Sequence, residues 1–209
     1  MSEPTQQPSP NTFTRGARKI ISPLGFRKGY NFVLFFIFAG AFVGFILARF
    51  QYLSLHGVLC NPDITGSNTA GPGECYYYLR NPYKVGILLH LGCVLPAGFL
   101  VVFQFLPVIR HKLILFHRLN GYLVLLLFLI STVGAFMIAR HAFGGGLDVQ
   151  SAVGVLGIMC VVSMALAYIN IKRLQIEQHR AWMLRGWFYV RHLSPSPNSN
   201  PKIPVPTLC

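Results

Sequence analysis

Residues 85–109 read VGILLHLGCVLPAGFLVVFQFLPVI, twenty-five positions without an Asp, Glu, Lys or Arg. A helix of about twenty apolar residues crosses a hydrocarbon layer roughly 30 Å thick and satisfies its own backbone groups on the way. Three more stretches repeat the pattern, giving expected spans at about 31–50, 85–109, 119–139 and 147–171. Asp148 stands at the edge of the last. The fold class that follows is all-α: a polytopic helical membrane bundle with four transmembrane helices and disordered termini.

Composition agrees. The chain of 209 residues is 53% hydrophobic and 11% charged, about half the charge of an ordinary soluble domain. Its formal charge of +13 would suggest nucleic acid in a soluble protein, but the charges sort by loop. Arg15, Arg18, Lys19, Arg27 and Lys28 precede the first span. Arg110, Lys112 and Arg118 lie between the second and third. Lys172, Arg173, Arg180, Arg185, Arg191 and Lys202 follow the fourth. The other side holds Arg49, Arg80, Lys84 and Arg140, offset by Asp63, Glu74 and Asp148. Positive-inside sorting accounts for this without nucleic acid and puts both termini in the cytosol. The expected domains are a basic, largely disordered cytosolic segment at 1–29, a transmembrane helical domain at 30–190 and a disordered tail at 191–209.

The basic, acid-free stretch TFTRGARKIISPLGFRK imitates a mitochondrial presequence. It serves equally as the flank of a retained signal anchor, so a secretory-pathway or plasma membrane is favoured. Cys60 and Cys75 share the long outer loop CNPDITGSNTAGPGEC, where a disulfide would close about fifteen residues and stabilise by roughly 3 kcal/mol. Such a bond needs an oxidising compartment. Cys93 and Cys160 sit inside spans as small packing residues.

Small residues Gly40, Gly44 and Ala48 recur every fourth position of the first span and suggest a close helix contact within the chain. Pro96 is expected to kink the second span, and Pro107 to help end it. Tyr76, Tyr77, Tyr78 and Tyr83 read as an interfacial belt. The run Gly144-Gly145-Gly146 reads as a flexible outer loop.

Polar residues in or beside spans carry the functional weight. His90 and Gln104 are fourteen residues apart, about 40° around the helix, and so share a face that should meet other helices. His117-Arg118 opens the third span, and His179-Arg180 follows the fourth. Neutral imidazole ligates iron, so His117 with His179 would bracket an inner haem and His90 with His141 an outer one. The pattern is incomplete, because the fourth span has no His. Alternatively, Arg110, Arg118, Arg180 and Arg185 would grip an anionic lipid or metabolite, since guanidinium pairs bidentately with oxyanions. The candidate binding residues are therefore His90, His117, Arg118, His179 and Arg180, for haem or an anion. Acid–base catalysis finds little support. The acids are Glu3, Asp63, Glu74, Asp148 and Glu177, and phosphate-loop, dinucleotide and zinc patterns are missing from the sequence.

His90, Gln104, Arg110, His117-Arg118 with Gly121, and His179-Arg180-Ala181-Trp182-Met183 with Arg185 together resemble the signature of a membrane-protein family, domain of unknown function 2306. The likeness covers about residues 84–188, and its fungal members look most similar. It implies a multi-pass helical protein without an established activity. An accessory or tailoring role in fungal secondary-metabolite biosynthesis, beside pathway enzymes or other membrane proteins, follows as an expectation. In similar proteins WMLR leads into a further hydrophobic helix. Here the apolar stretch is short, so the family's later spans are expected to be missing and residues 182–190 to lie at the interface.

Overall fold

The computed structural model describes residues 24–26, 28–61, 70, 71 and 73–192, with side chains to Trp187. Most of the expected disordered segments, and Asp63, lie outside the described residues. All regular structure among those residues is helical. Four helices are long and apolar enough to cross a membrane. The chain divides into two compact units at Gly146.

In the first unit, α1 spans Gly29–Phe50, and two short turns at Gln51–Leu53 and Leu55–Leu59 follow. The five-residue helix α2 (Glu74–Tyr78) leads into α3 (Tyr83–Gln104). Then come the short α4 (Pro107–Lys112), the long α5 (Ile114–Ile138) and a 3₁₀ turn at Ala142–Gly144. The second unit holds α6 (Leu147–Lys172) and α7 (Ile176–His192).

The expected second span divides in two. The apolar run continues to residue 109, but α3 stops at Gln104, where Phe105 N–H bonds back to Val102 O at 3.2 Å. Pro107 then opens α4 at its first position, where a missing N–H costs nothing and the fixed φ suits a helix. Pro96 stays inside one continuous α3. The third span starts at Ile114, earlier than expected, which places His117 within its first turn.

Helices α3 and α5 run antiparallel in a close pairing. A Cβ added to Gly134 would fall 2.6 Å from Gly86 O and 2.6 Å from His90 N, so only glycine lets the backbones approach this way. Further along, Asn120 Nδ2 donates to Leu100 O at 3.0 Å, and Gln104 Nε2 donates to His117 O at 3.1 Å. Buried polar groups are thereby paired across the helices, as lipid demands. Helix α1 joins α3 differently from the expectation. Gly40 and Gly44 have nothing within 4 Å of an added Cβ, and the hole is on α3 instead. There Ile46, 2% exposed, and Phe42 lie over Gly98. The packing face of α1 is thus its bulky one.

At the far end of the pair, Tyr52, Leu55, Leu59, Tyr78, Ile87 and Ile138 form a buried apolar cluster. The Cys60–Cys75 disulfide lies beside it, with Cα atoms 5.5 Å apart. The flanks of the spans stay apolar and open, as with Phe36 at 70% exposure, which fits lipid as solvent.

In the second unit the turn between α6 and α7 is tight. Gln175 N–H bonds to Asn170 O at 2.9 Å and Leu174 N–H to Ile171 O at 3.1 Å, with Leu174 at φ 60°. This is a Schellman turn with leucine in the left-handed position that usually holds glycine. It sends α7 back along α6. Residues 182–190, expected at the interface, belong to a helix packed antiparallel on α6.

Candidate functional site

The histidine of α3 sits one turn inside the glycine contact. His90 Nδ1 lies 3.1 Å from Ser131 O and 3.0 Å from Ser131 Oγ, while Ser131 Oγ–H donates to His90 O at 3.2 Å. A carbonyl oxygen only accepts, so the proton must be on Nδ1. In the neutral ring the lone pair then belongs to Nε2. Gln104 reaches His117 O on the same face, with Gly121 nearby, so the shared face of His90 and Gln104 is the one that meets α5. His117 is half-buried and Arg118 is exposed.

The second unit repeats the device. His179 Nδ1 lies 2.9 Å from Ala167 O, so it too donates from Nδ1 and keeps its lone pair on Nε2. One and a half turns on, the Arg185 guanidinium lies 4.6 Å from the Trp182 ring centroid. Gly186 then packs on α6: its carbonyl accepts from Cys160 Sγ at 3.7 Å, and an added Cβ would lie 3.4 Å from Ser163 Cβ. Arg180 and Arg185 are exposed. Near the turn, Lys172 Nζ lies 5.4 Å from the Tyr168 ring centroid.

A third polar cluster lies at the disulfide end. Glu74 is 5% exposed, accepts Gly71 N–H at 2.7 Å and also accepts the N–H of Phe143. It therefore ties the disulfide loop to the loop after α5. Burial, and then the Glu74 charge, push the Tyr78 phenol well above its ordinary range. His141 stacks on Tyr77 with centroids 3.7 Å apart and meets Tyr83 edge-on at 4.5 Å. The tyrosines thus do more than mark an interface. A cavity of about 190 Å³ opens here, lined by Glu74, Tyr77, Arg140, His141 and three glycines. Two of these, Gly144 and Gly145, hold φ of 87° and 69° beside Phe143 at 52°, so the turn needs them for conformation. An added Cβ at Gly145 would also lie 2.5 Å from Arg140 O.

The model of a predicted membrane protein family, DUF2306, matches residues 87–193, just over half the chain. The chain belongs to DUF2306. No curated protein and no solved structure matches it. The DUF2306 segment takes in α3 from Ile87, α4, α5 and both helices of the second unit, and with them every His-Arg candidate. Helix α1, the disulfide and Glu74 precede it.

Sequence reasoning reached His90, Gln104, His117 and His179 but missed their partners. Neither Ser131 nor Asn120 is picked out by charge, spacing or motif. An amide inside an apolar run is the signal that would have flagged Asn120. The role of Glu74 had no such signal, because its partner is 69 residues away.

Proposed function

We propose that the second unit binds an anionic ligand on the arginines of α7, and that the protein is a membrane accessory to a pathway handling such molecules. One observation carries this reading. Arg185 is held over Trp182 in a unit with almost no acid to neutralise it. Glu177 can serve Arg180 three residues away, but it lies eight residues, about 12 Å along the helix, from Arg185. Asp148 stands at the opposite end of α6. A guanidinium so placed takes a carboxylate or phosphate. The test is mass spectrometry of small molecules extracted from the purified full-length protein. An anionic species should accompany the wild type and be lost from the Arg180→Gln, Arg185→Gln double variant. Equal recovery from both would refute the site. Accessory service in specialised metabolism predicts an altered metabolite profile on gene deletion, and an unchanged profile would count against it. We read the basic ends as cytosolic and the membrane as that of the secretory pathway or cell surface. Reporter fusions at both termini check this.

A second reading has its own observation. His90 and His179 each donate Nδ1–H to a backbone carbonyl, the arrangement that orients an imidazole to ligate through Nε2. Haem would be the group held. Between α3 and α5 themselves the residues do not fit a porphyrin, because Gly134 closes on Gly86 and His90 at backbone distance. His141, expected to pair with His90, is occupied by two tyrosine rings beyond the end of α5. A reducible Soret band in the purified protein, lost in His90→Ala or His179→Ala, would establish haem. Colourless protein would end this reading.

A further inference from the structure

Helix α6 has 26 residues and is about 39 Å long, more than a hydrocarbon layer needs, so its middle near Cys160 falls near the middle of that layer. The Schellman turn at Leu174 sends α7 back beside it, and two contacts fix the register. His179 meets Ala167 close to the turn, and Gly186 meets Cys160 and Ser163 further in. Gly186 therefore lies about 14–18 Å along the axis from the Lys172 end of α6. Arg185 is its neighbour in sequence.

We propose that α7 dips back into the membrane beside α6, and that its Arg185–Trp182 face binds, inside the hydrocarbon layer, the oxyanion head of an acyl-chain amphiphile. The inference rests on the anion reading above and adds depth and ligand class. Side chains of a helix lean toward its N-terminus, which for α7 is the turn end. The guanidinium leans this way over Trp182, yet Trp182 is itself three residues deeper than His179. The charge thus stays about 10 Å inside the end of α6, which is about 5 Å inside a layer of about 30 Å centred near Cys160. A charge at that depth calls for a partner. The indole face offsets part of the cost but supplies no counter-ion. Leu184, exposed beside Arg185, offers apolar surface for a hydrocarbon chain. A water-soluble anion would have to leave water to reach this place. An ionised fatty acid or a phosphate lipid enters sideways with its chain already in the bilayer.

The two tryptophans of the chain, Trp182 and Trp187, are both on α7 and report its depth without engineering. The full-length protein in phosphatidylcholine vesicles is titrated with phosphatidylcholines brominated near the headgroup end or near the methyl end of their acyl chains. Stronger quenching by the deep bromines is expected. Stronger quenching by the shallow ones would overturn the membrane-inserted placement, even if an anion still bound. The ligand arm compares oleate, phosphatidate, methyl oleate and inorganic phosphate by the same fluorescence. Saturable binding is expected for oleate or phosphatidate, the better of the two naming the head, with a loss of tenfold or more in Arg185→Gln. Arg173→Gln, at the turn, should bind as the wild type does. Equal binding of methyl oleate, or of inorganic phosphate, would overturn the ligand class. Deep quenching with no response to either acid would overturn the ligand class and leave the buried helix alone, whereas loss of the anion reading itself would show as equal recovery in the extraction test above.

Discussion

The α3–α5 and α6–α7 pairs are two solutions to one problem. Each is antiparallel, each has glycine at a contact, and each donates a histidine Nδ1–H to a carbonyl of the neighbouring helix. They differ in what remains. In α3–α5 the polar groups at the helix contact are uncharged types satisfied within it: Ser131 by His90, Asn120 by Leu100 O, Gln104 by His117 O, while Arg118 stays exposed outside that contact. In α6–α7 the closing residues include guanidinium groups that the unit cannot neutralise. Identical packing devices therefore separate a scaffold from a surface with unspent charge.

The largest effect should come from the glycines, and it should be lopsided. Gly134→Ala drives a methyl into Gly86 O and His90 N, and should cost about 3 kcal/mol, the upper range for overpacking. Gly186→Ala meets Ser163 Cβ at an ordinary contact distance and should cost under about 1 kcal/mol, chiefly through contact adjustments. Thermal unfolding in detergent compares them, and equal costs would break the contrast. Cys60→Ser should remove a comparable amount, about 3 kcal/mol for a loop of this length, from the first unit alone. Limited proteolysis of the two units would show whether the loss spreads.

Smaller changes sharpen the comparison. Ser131→Ala should cost about 1 kcal/mol, as interhelical hydrogen bonds in membranes do, and leave anion binding untouched. Should it weaken ligand binding, the scaffold would not be separate from the site. Leu174→Gly relieves a left-handed leucine and should stabilise the α6–α7 turn by up to about 1 kcal/mol, read as a higher unfolding temperature.

The spans were legible because length and absence of charge suffice to find them. Their interruptions were less so. The apolar run through Phe105 and Leu106 hides the break before Pro107, since hydropathy is blind to where a helix restarts. Small residues were visible on α1, but spacing says only that a face is small, and Gly98 on α3 turned out to be the hole. The Schellman turn was hidden by chemistry: leucine stands where a reader looks for glycine. The site residues could be named singly. Their partners could not, because a tautomer is set by a carbonyl on another helix, and carbonyls are the same in every residue.

Helix α1 touches α3 chiefly through Ile46 and Phe42 over one hole at Gly98, a weak hold in a medium where helices drift sideways. The loop between them is knotted short by a covalent bond and a buried cluster. Such a leash raises the local concentration of α1 at α3, so that a contact too feeble to recruit a free helix is enough to retain this one. Family membership and attachment thereby part company. Within each unit the helix pairs of the DUF2306 segment are held by fit, whereas the helix that precedes them is kept by proximity, and cutting the leash would release it into the lipid with α3 and α5 still paired.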